Sequence, residues 1–229
     1  MSAGSKAGTR ALAEAGAWLA LVAIDAEGSI GWQAASVHRP AEIHPAEWLE
    51  AEVLTDPARR RQWLAGRRAA KAALASVLGE DAFEAAAHVV RSRDRFGRPA
   101  RPTVWRGGRR VPVYLSVAHG ERVAAAIASL DHRVGVDVVD HERDLRHGVG
   151  KEAWLFSARE AAYKVGALAT REEPFRPDDW RVERDPAHEL GRVRHDRLGA
   201  RALPVRWLCG VPGAPVLAVS WSPDERSAA

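Results

Sequence analysis

The chain contains 229 residues, of which 46% are hydrophobic and 28% charged, a composition typical of a folded globular protein and not of a disordered one. No apolar run is long enough to cross a membrane, and Glu14 interrupts the alanine-rich start, so we expect neither a membrane span nor a secretory signal. The single cysteine, Cys209, excludes an internal disulfide and a zinc site made of thiolates, and it favours the cytoplasm.

The basic side of the charge balance is unusual in kind. The net charge is +4, and only four of the 34 basic residues are lysines. Arginine carries a planar fork of donors that suits phosphate and carboxylate oxygens. The composition therefore indicates a phosphate-bearing ligand, an acidic protein partner or nucleic acid. A coding preference for arginine explains the same numbers and is favoured on composition alone.

The first half of the chain combines loops with two helices. Residues 1–10 are typical of a mobile polar leader, and residues 18–24 of a buried strand. A short helix is predicted at 47–53 and a long one at 59–78, which Gly79 would cap. Residues 91–109 are rich in arginine, glycine and proline, which predicts a loop with Phe96-Gly97-Arg98-Pro99 as its turn.

Short strands dominate the second half, at 113–117, 123–130, 133–139, 180–183, 205–208 and 216–221, with one helix at 157–168. A Trp-Leu start leading into an alanine-rich helix that ends on lysine occurs twice, at 63–71 and 154–164. We therefore expect an α+β fold of two pseudo-symmetric α/β lobes with short mixed sheets, an N-terminal lobe at 11–112 and a C-terminal lobe at 113–229. Chance similarity between alanine-rich helices is the competing explanation.

Two carboxylates are candidates for chemistry. Asp137 lies inside an apolar strand, where a charge is costly unless it finds a cation or hydrogen-bond donors. Glu160 and Lys164 are one helical turn apart, and Ser157 with Glu160 fits a capping box. A carboxylate and an ammonium at a helix N-terminus can hold a metal ion next to a phosphate. The simpler interpretations are an aspartate that caps a turn and an ordinary surface helix.

Hydroxyl and basic side chains form a second group of candidates. Ser116 and His119 lie where a strand runs into a turn, a place where a lone histidine is more often solvated than a ligand. Arginines are concentrated at 59–61 and recur at Arg67 and Arg98. A solvated helix face is their default explanation. Each signal is weak alone, but their order along the chain is specific.

That order is an Arg-rich Trp-Leu-Ala-Gly-Arg helix, a Phe-Gly-Arg-Pro turn, a Ser-x-x-His turn, a Gly-Val-Asp-Val strand and a Ser-x-Arg-Glu-Ala-x-x-Lys helix. The series resembles the two-lobed 4′-phosphopantetheinyl transferases of the surfactin-synthetase-activating type. The resemblance covers the chain from Arg59 onward and is sharp from Leu115 to Lys164. It implies Mg²⁺-dependent transfer of 4′-phosphopantetheine from coenzyme A to a serine of an acyl or peptidyl carrier protein. Such carriers serve fatty acid, polyketide or nonribosomal peptide synthesis, and adenosine 3′,5′-bisphosphate is the second product.

The resemblance also implies a role for each candidate. Asp137 and Glu160 would ligate Mg²⁺, Lys164 would contact the phosphate under attack, and Glu160 would take the serine proton through water. The residues expected to bind coenzyme A, by its 3′-phosphate or by charge, are His119, Ser116, Arg98, Arg159 and one of arginines 59–61, taken as Arg60. We expect a monomer whose arginine surface meets the acidic helices of the carrier.

Two departures from the family pattern leave an alternative open. Val139 stands where many members carry a second acid on the face of Asp137, although Asp137-Val138-Val139-Asp140 resembles the Asp-Ile-Val-Glu of the small trimeric holo-carrier-protein synthases. Asp137 and Glu160 are only 23 positions apart, whereas the family usually fits a carrier-binding helix between them. The alternative is a degenerate transferase-like module that binds a carrier protein or coenzyme A without catalysis. Nucleic-acid binding is weaker still, because no recognisable motif interleaves the arginines with exposed aromatics.

Overall fold

The computed structural model describes residues 17–24, 32–33, 43–93, 99–139, 153–166, 175–184, 189–195, 202–208 and 216–222. The α-helices in these ranges are α1 (Pro45–Glu52), α2 (Pro57–Leu78), α3 (Ala82–Ala86) and α4 (Ala153–Gly166), and a short 3₁₀ helix spans Pro177–Asp179. The strands are β1 (Ala17–Ala23), β2 (Trp32–Gln33), β3 (Val89–Arg93), β4 (Pro99–Arg106), β5 (Arg109–Val111), β6 (Tyr114–His119), β7 (Val123–Ser129), β8 (Val134–Val139), β9 (Trp180–Arg184), β10 (Leu190–His195), β11 (Leu203–Leu208) and β12 (Val216–Trp221).

The described strands form three sheets, ordered β2-β1-β7-β6, β8-β12-β11-β10-β9 and β3-β4-β5. Every pair of neighbours among them is antiparallel. The expected α+β class is confirmed, but mixed sheets are wrong for the described strands. Short turns such as the one between β6 and β7 return the chain antiparallel, whereas a parallel pair needs a crossover of a dozen or more residues.

The two larger sheets pack face to face between two helices. Alternate residues of β1 point to opposite sides: Ala20 and Val22 join the core under α2, whereas Ala17 packs with the second sheet. The second sheet meets the first through residues such as Val136 and Leu217, and α4 covers its other face. The order of layers is therefore α2, first sheet, second sheet, α4, which gives each sheet an apolar partner on both sides.

The predicted lobe boundary at 112/113 falls inside one sheet. Strands β6 and β7 follow that boundary, yet β7 pairs with β1 along its whole length and β6 continues the same sheet. Sequence periodicity locates strands but not their partners, so it did not reveal this pairing. The leader predicted at 1–10 and the turn at 96–98 lie outside the described residues.

Most predicted elements are present, with two corrections. The segment 91–109 is not a loop, because it contains β4 and the end of β3. Helix α4 begins at Ala153, so Ser157 is not its N-cap; the Ser157 hydroxyl is buried and donates to the carbonyl of Trp154. None of the helices in the described ranges combines the length and the apolarity needed to cross a membrane.

Candidate active site between α2, β6 and α4

A glycine on β8 brings α4 close to the strand that carries Asp137. A Cβ atom at Gly135 would overlap the carbonyl oxygen of Ala161 and come within 3.1 Å of a methyl group of Val165. The backbone of α4 therefore approaches β8 at this point as no side chain would allow. Residues 135 and 137 share one strand face, so Asp137 points at the helix.

Two carboxylates converge on one cation here. The ammonium of Lys164 donates to Asp137 Oδ1 at 2.8 Å and to the carbonyl oxygen of Val136 at 3.0 Å. The same nitrogen lies 3.1 Å from Glu160 Oε1, one helical turn earlier. The structure thus brings Asp137, Glu160 and Lys164 together. It does so in the middle and last turn of α4, not at a helix N-terminus.

Burial governs the electrostatics of this cluster. It raises the pKa of Asp137 from 3.8 to about 7, with a further contribution from Glu160, whereas Lys164 opposes the shift. Burial also acts to lower the pKa of Lys164, but the charges and hydrogen bonds of both carboxylates outweigh it, so that pKa is raised. Lys164 therefore stays protonated at neutral pH, whereas Asp137 can be either protonated or ionised there.

One carboxylate oxygen of the cluster lacks a hydrogen-bond partner among the described residues. Asp137 Oδ2 is buried and has no hydrogen-bond partner among the described residues, which is costly for a carboxylate. No group of three or more His, Cys, Asp or Glu suited to a metal ion occurs in the described ranges. Two carboxylates nevertheless fit Mg²⁺, because this ion is usually held by one or two carboxylates, several waters and substrate phosphates.

A cavity of roughly 500 Å³ opens next to the cluster. It mixes cationic, aromatic and hydroxyl side chains with one carboxylate. Its lining residues come from α2, β3, β4, β6, α4 and the segment before β9: Trp63, Gly66, Arg67, Ser92, Ala100, Pro102, Ser116, Val117, His119, Glu160, Tyr163, Lys164 and Phe175. Four of the predicted site residues (Ser116, His119, Glu160 and Lys164) therefore meet at one concave surface.

His119 and Ser116 take different positions in this wall. His119 lies at the exposed end of β6, and its pKa is lowered, first because the ring is partly withdrawn from water and then because Lys164 is near. Positive charge on Arg59 and Arg67 lowers it further. Ser116 is buried, and its hydroxyl accepts a hydrogen bond from the backbone N–H of Val136 at 3.2 Å. This bond ties β6 to the strand of Asp137.

Arg67 is a buried cation that lines the cavity. Its two terminal nitrogens each donate to Ser92 Oγ at 3.1 Å, and its guanidinium stacks on Trp63, 4.4 Å from the ring centroid. Burial lowers its pKa, and the nearby charge of Glu47 opposes the shift. Glu47 also forms a 2.9 Å salt bridge with Lys71, deep in the core. The sequence singled out Arg67 only as part of an arginine group.

Three predicted binding residues are not among the described residues that line the cavity. Arg60 donates to the carbonyl oxygens of Ala51 and Glu52, at 2.9 and 2.8 Å, and so caps the end of α1. Arg159 donates through Nε to the carbonyl oxygen of Trp180 at 2.9 Å. Arg98 lies outside the described residues. Contacts of these arginines with coenzyme A stay predictions.

Sequence reasoning missed the aromatic and hydroxyl part of the wall. Trp63 precedes Gly66 and Arg67 by three and four positions, so helical spacing would have placed all three on one face. Ser92 and Phe175 carry no comparable signal, because each reaches the cavity from a separate element. No family model and no curated protein sequence matches the chain, so its function rests on the chemistry of this site.

Proposed function

We propose that the protein transfers the 4′-phosphopantetheine group of coenzyme A to a serine hydroxyl of an acyl or peptidyl carrier protein, releasing adenosine 3′,5′-bisphosphate. One observation carries the proposal. Carboxylates from β8 and α4, those of Asp137 and Glu160, lie within 3.1 Å of the same ammonium, beside a cationic cavity. Paired carboxylates next to positive charge suit the transfer of a phosphoryl-linked group, in which positioning and neutralisation of charge dominate.

The cavity supports a phosphate-bearing donor. Its volume is within the range of about 300–1,000 Å³ that is usual for small-molecule sites. Arg67 and Lys164 supply positive charge to its wall, and His119 gains a charge when an anion raises its pKa. Because low dielectric strengthens these interactions, the partly buried cations would favour the phosphates of coenzyme A over neutral ligands.

Asp137 and Glu160 are the residues that would hold Mg²⁺, through Asp137 Oδ2 and the more exposed carboxylate of Glu160. A bound Mg²⁺ would withdraw charge from the pyrophosphate of coenzyme A. Asp137 would keep Lys164 in place through its other oxygen, so that the ammonium neutralises a phosphate oxygen as charge shifts to the leaving group.

Glu160 is suited to accept the proton of the attacking serine. Its side chain is 30% exposed, whereas that of Asp137 is 7% exposed. Glu160 lines the cavity, whereas Asp137 is not among the described residues that line it, so Glu160 is the carboxylate more open to a carrier serine. General-base catalysis of this kind contributes on the order of 10²–10⁴ in rate.

Mass spectrometry tests the proposal directly. An apo carrier protein incubated with this chain, Mg²⁺ and coenzyme A should gain the mass of the phosphopantetheine arm on its serine. The gain should vanish when the carrier serine is replaced by alanine. A panel of acyl, polyketide and peptidyl carriers that all stay unmodified, while a known transferase modifies them, would refute the enzyme assignment.

One observation favours a second function, binding without transfer. Lys164 already pairs with both carboxylates, and Val139 supplies no third acid on the face of Asp137. A cluster held together by such ion pairs can serve structure alone. Titration calorimetry separates the two functions: a degenerate module binds coenzyme A or the carrier with Mg²⁺ present and yields no modified carrier.

A further inference from the structure

An arginine on the third sheet donates hydrogen bonds to the end of α4, the helix that carries Glu160 and Lys164. Arg101, on β4, donates through Nη2 to the carbonyl oxygen of Lys164 at 2.8 Å and to that of Val165 at 3.1 Å. Helix α4 ends at Gly166. The carbonyls of Lys164 and Val165 lie in the last turn of that range, so Arg101 adds a side-chain donor to the C-terminal end of α4 as the structure describes it.

The charge of Arg101 matches this position. The C-terminal end of a helix carries partial negative charge, and a cation there is stabilising. The surroundings also disfavour the charged form of Arg101. Its pKa is lowered first by burial and then by the positive charge of Arg133. A guanidinium kept partly buried beside another cation needs specific acceptors, and in the described residues these are the two carbonyls of α4.

The contact joins two walls of the cavity. Ala100 and Pro102, the neighbours of Arg101 on β4, line the cavity on one side, and Lys164 lines it on the other. Lys164 is therefore held at both of its polar ends, by Asp137 at the ammonium and by Arg101 at the carbonyl. A shift of the last turn of α4 would change the position of that ammonium relative to β4.

We propose that Arg101 is a positioning residue, which fixes the C-terminal turn of α4 so that Lys164 meets the phosphate of a donor bound in the cavity. This inference rests on the proposed transferase function. It adds a residue that touches neither substrate nor metal ion but sets the distance between the two cavity walls. A misplacement of about 1 Å of a catalytic group costs on the order of 10²-fold in rate.

Three variants test it. Arg101→Met keeps much of the side-chain volume and removes the donors, and Arg101→Lys keeps a cation that can donate to the same carbonyls. Arg110→Met, on β5 of the same sheet, is the matched control because Arg110 is exposed and has no place in the cavity wall. Each variant is measured for thermal unfolding, for amide hydrogen exchange in residues 161–166 and for kcat and KM with coenzyme A and a carrier.

We expect Arg101→Met to exchange the amides of residues 161–166 faster than the wild type, while exchange in α2 is unchanged. Its kcat should fall on the order of 10-fold or more, with a KM for coenzyme A near the wild-type value, because the donor still binds. Arg101→Lys should recover most of both properties, and Arg110→Met should match the wild type.

The exchange measurement needs no catalysis, which keeps the inference separate from the proposed function. Wild-type exchange in α4 of Arg101→Met would overturn the positioning role. Faster exchange with unchanged kcat in an active enzyme would overturn it too, because the contact would then be structural only. If the wild type transfers nothing, the catalytic half of the inference fails with the proposed function, and faster exchange would assign Arg101 to holding α4 alone.

Discussion

The carboxylate of Asp137 lies 2.8 Å from the ammonium of Lys164, across the contact between a sheet and the helix packed on it. The two residues are on separate elements, β8 and α4, and Gly135 allows those elements to approach. A buried ion pair of this kind contributes little net stability, because desolvation offsets most of the attraction. The position of Lys164 in the wall of a cavity is therefore the feature of this pair that supports the proposed chemistry.

Replacing Glu160 with glutamine should lower turnover on the order of 10²–10⁴ and change stability little. Glu160 is 30% exposed, so its pair with Lys164 is screened by water, whereas its loss as a base acts on the reaction itself. Carrier modification followed by mass spectrometry measures the rate. The control is Glu183→Gln, an exposed glutamate on β9. Normal turnover in the Glu160→Gln variant would remove Glu160 from both metal binding and catalysis.

Replacing Asp137 with asparagine should lower turnover as strongly and also change stability. Asparagine leaves the buried ammonium of Lys164 with one carboxylate in place of two. Breaking a buried pair costs roughly 3–5 kcal/mol when no partner is left. Here Glu160 remains as a partner, and burial already makes the charged form of Asp137 costly, as its raised pKa shows, so the net change at pH 7 should be smaller than that range. Urea denaturation at pH 7 measures it. A variant with wild-type stability and turnover would contradict the assigned role of Asp137.

Asp137 should contribute a loss of stability as the pH rises from about 4 to 7. Burial raises the pKa of Asp137 from 3.8 to about 7. Between these values the folded chain holds a proton that the unfolded chain has released, so the free energy of unfolding decreases with pH. Lys164 adds no slope here, because its raised pKa acts only above its usual 10.5.

Urea unfolding at pH 5, 6, 7 and 8 measures this slope in the wild type and in Asp137→Asn. The variant has no titrating group at position 137, so its curve should lack the part of the slope that Asp137 contributes. Identical slopes for the two proteins would show that the carboxyl keeps its ordinary pKa in the folded state.

Local patterns predicted the elements that carry the site. The apolar residues of β6, β7 and β8 and the alanine-rich face of α2 are readable because side-chain direction repeats along each element. The convergence of Asp137, Glu160 and Lys164 was expected only from the family resemblance, because no local pattern reports which strand lies against α4. By contrast, β4 was taken for loop because arginines and prolines interrupt it. Tertiary contacts override the local loop signal here, since the Arg101 side chain donates a hydrogen bond to the backbone of α4.

Other features could not be predicted, because they depend on packing between elements distant in sequence. Glu47 and Lys71 form a salt bridge that is fully removed from solvent, yet each residue alone resembles part of a solvated helix face. The start of α4 was misplaced because Ser157 and Glu160 have capping-box spacing, whereas the Ser157 hydroxyl is buried inside the helix.

Replacing Gly135 with alanine should separate β8 from α4. The added Cβ would overlap the backbone carbonyl of Ala161, which cannot rotate away, so the helix must move. Overpacking of this kind costs roughly 1–3 kcal/mol and sometimes more, and it should also abolish most turnover. Gly66→Ala is the matched control for stability, because its Cβ would meet side-chain atoms and no backbone, a Val117 methyl group at 3.2 Å and His119 Cδ2 at 4.0 Å. Equal stability losses in the two variants would contradict the close approach at Gly135.

Replacing His119 with alanine should raise the KM for coenzyme A roughly 10-fold and leave kcat nearly unchanged, because a hydrogen bond to a charged group contributes about 1.5–3 kcal/mol to binding. His132→Ala, in the turn before β8, is the control. Burial and, after it, nearby cations lower the pKa of His119 in the free protein, so a bound phosphate should raise it. NMR titration of the imidazole with and without adenosine 3′,5′-bisphosphate measures that shift, and the KM should fall as the pH falls through this pKa. If the pKa of His119 is the same with and without the ligand, the phosphate binds elsewhere in the cavity.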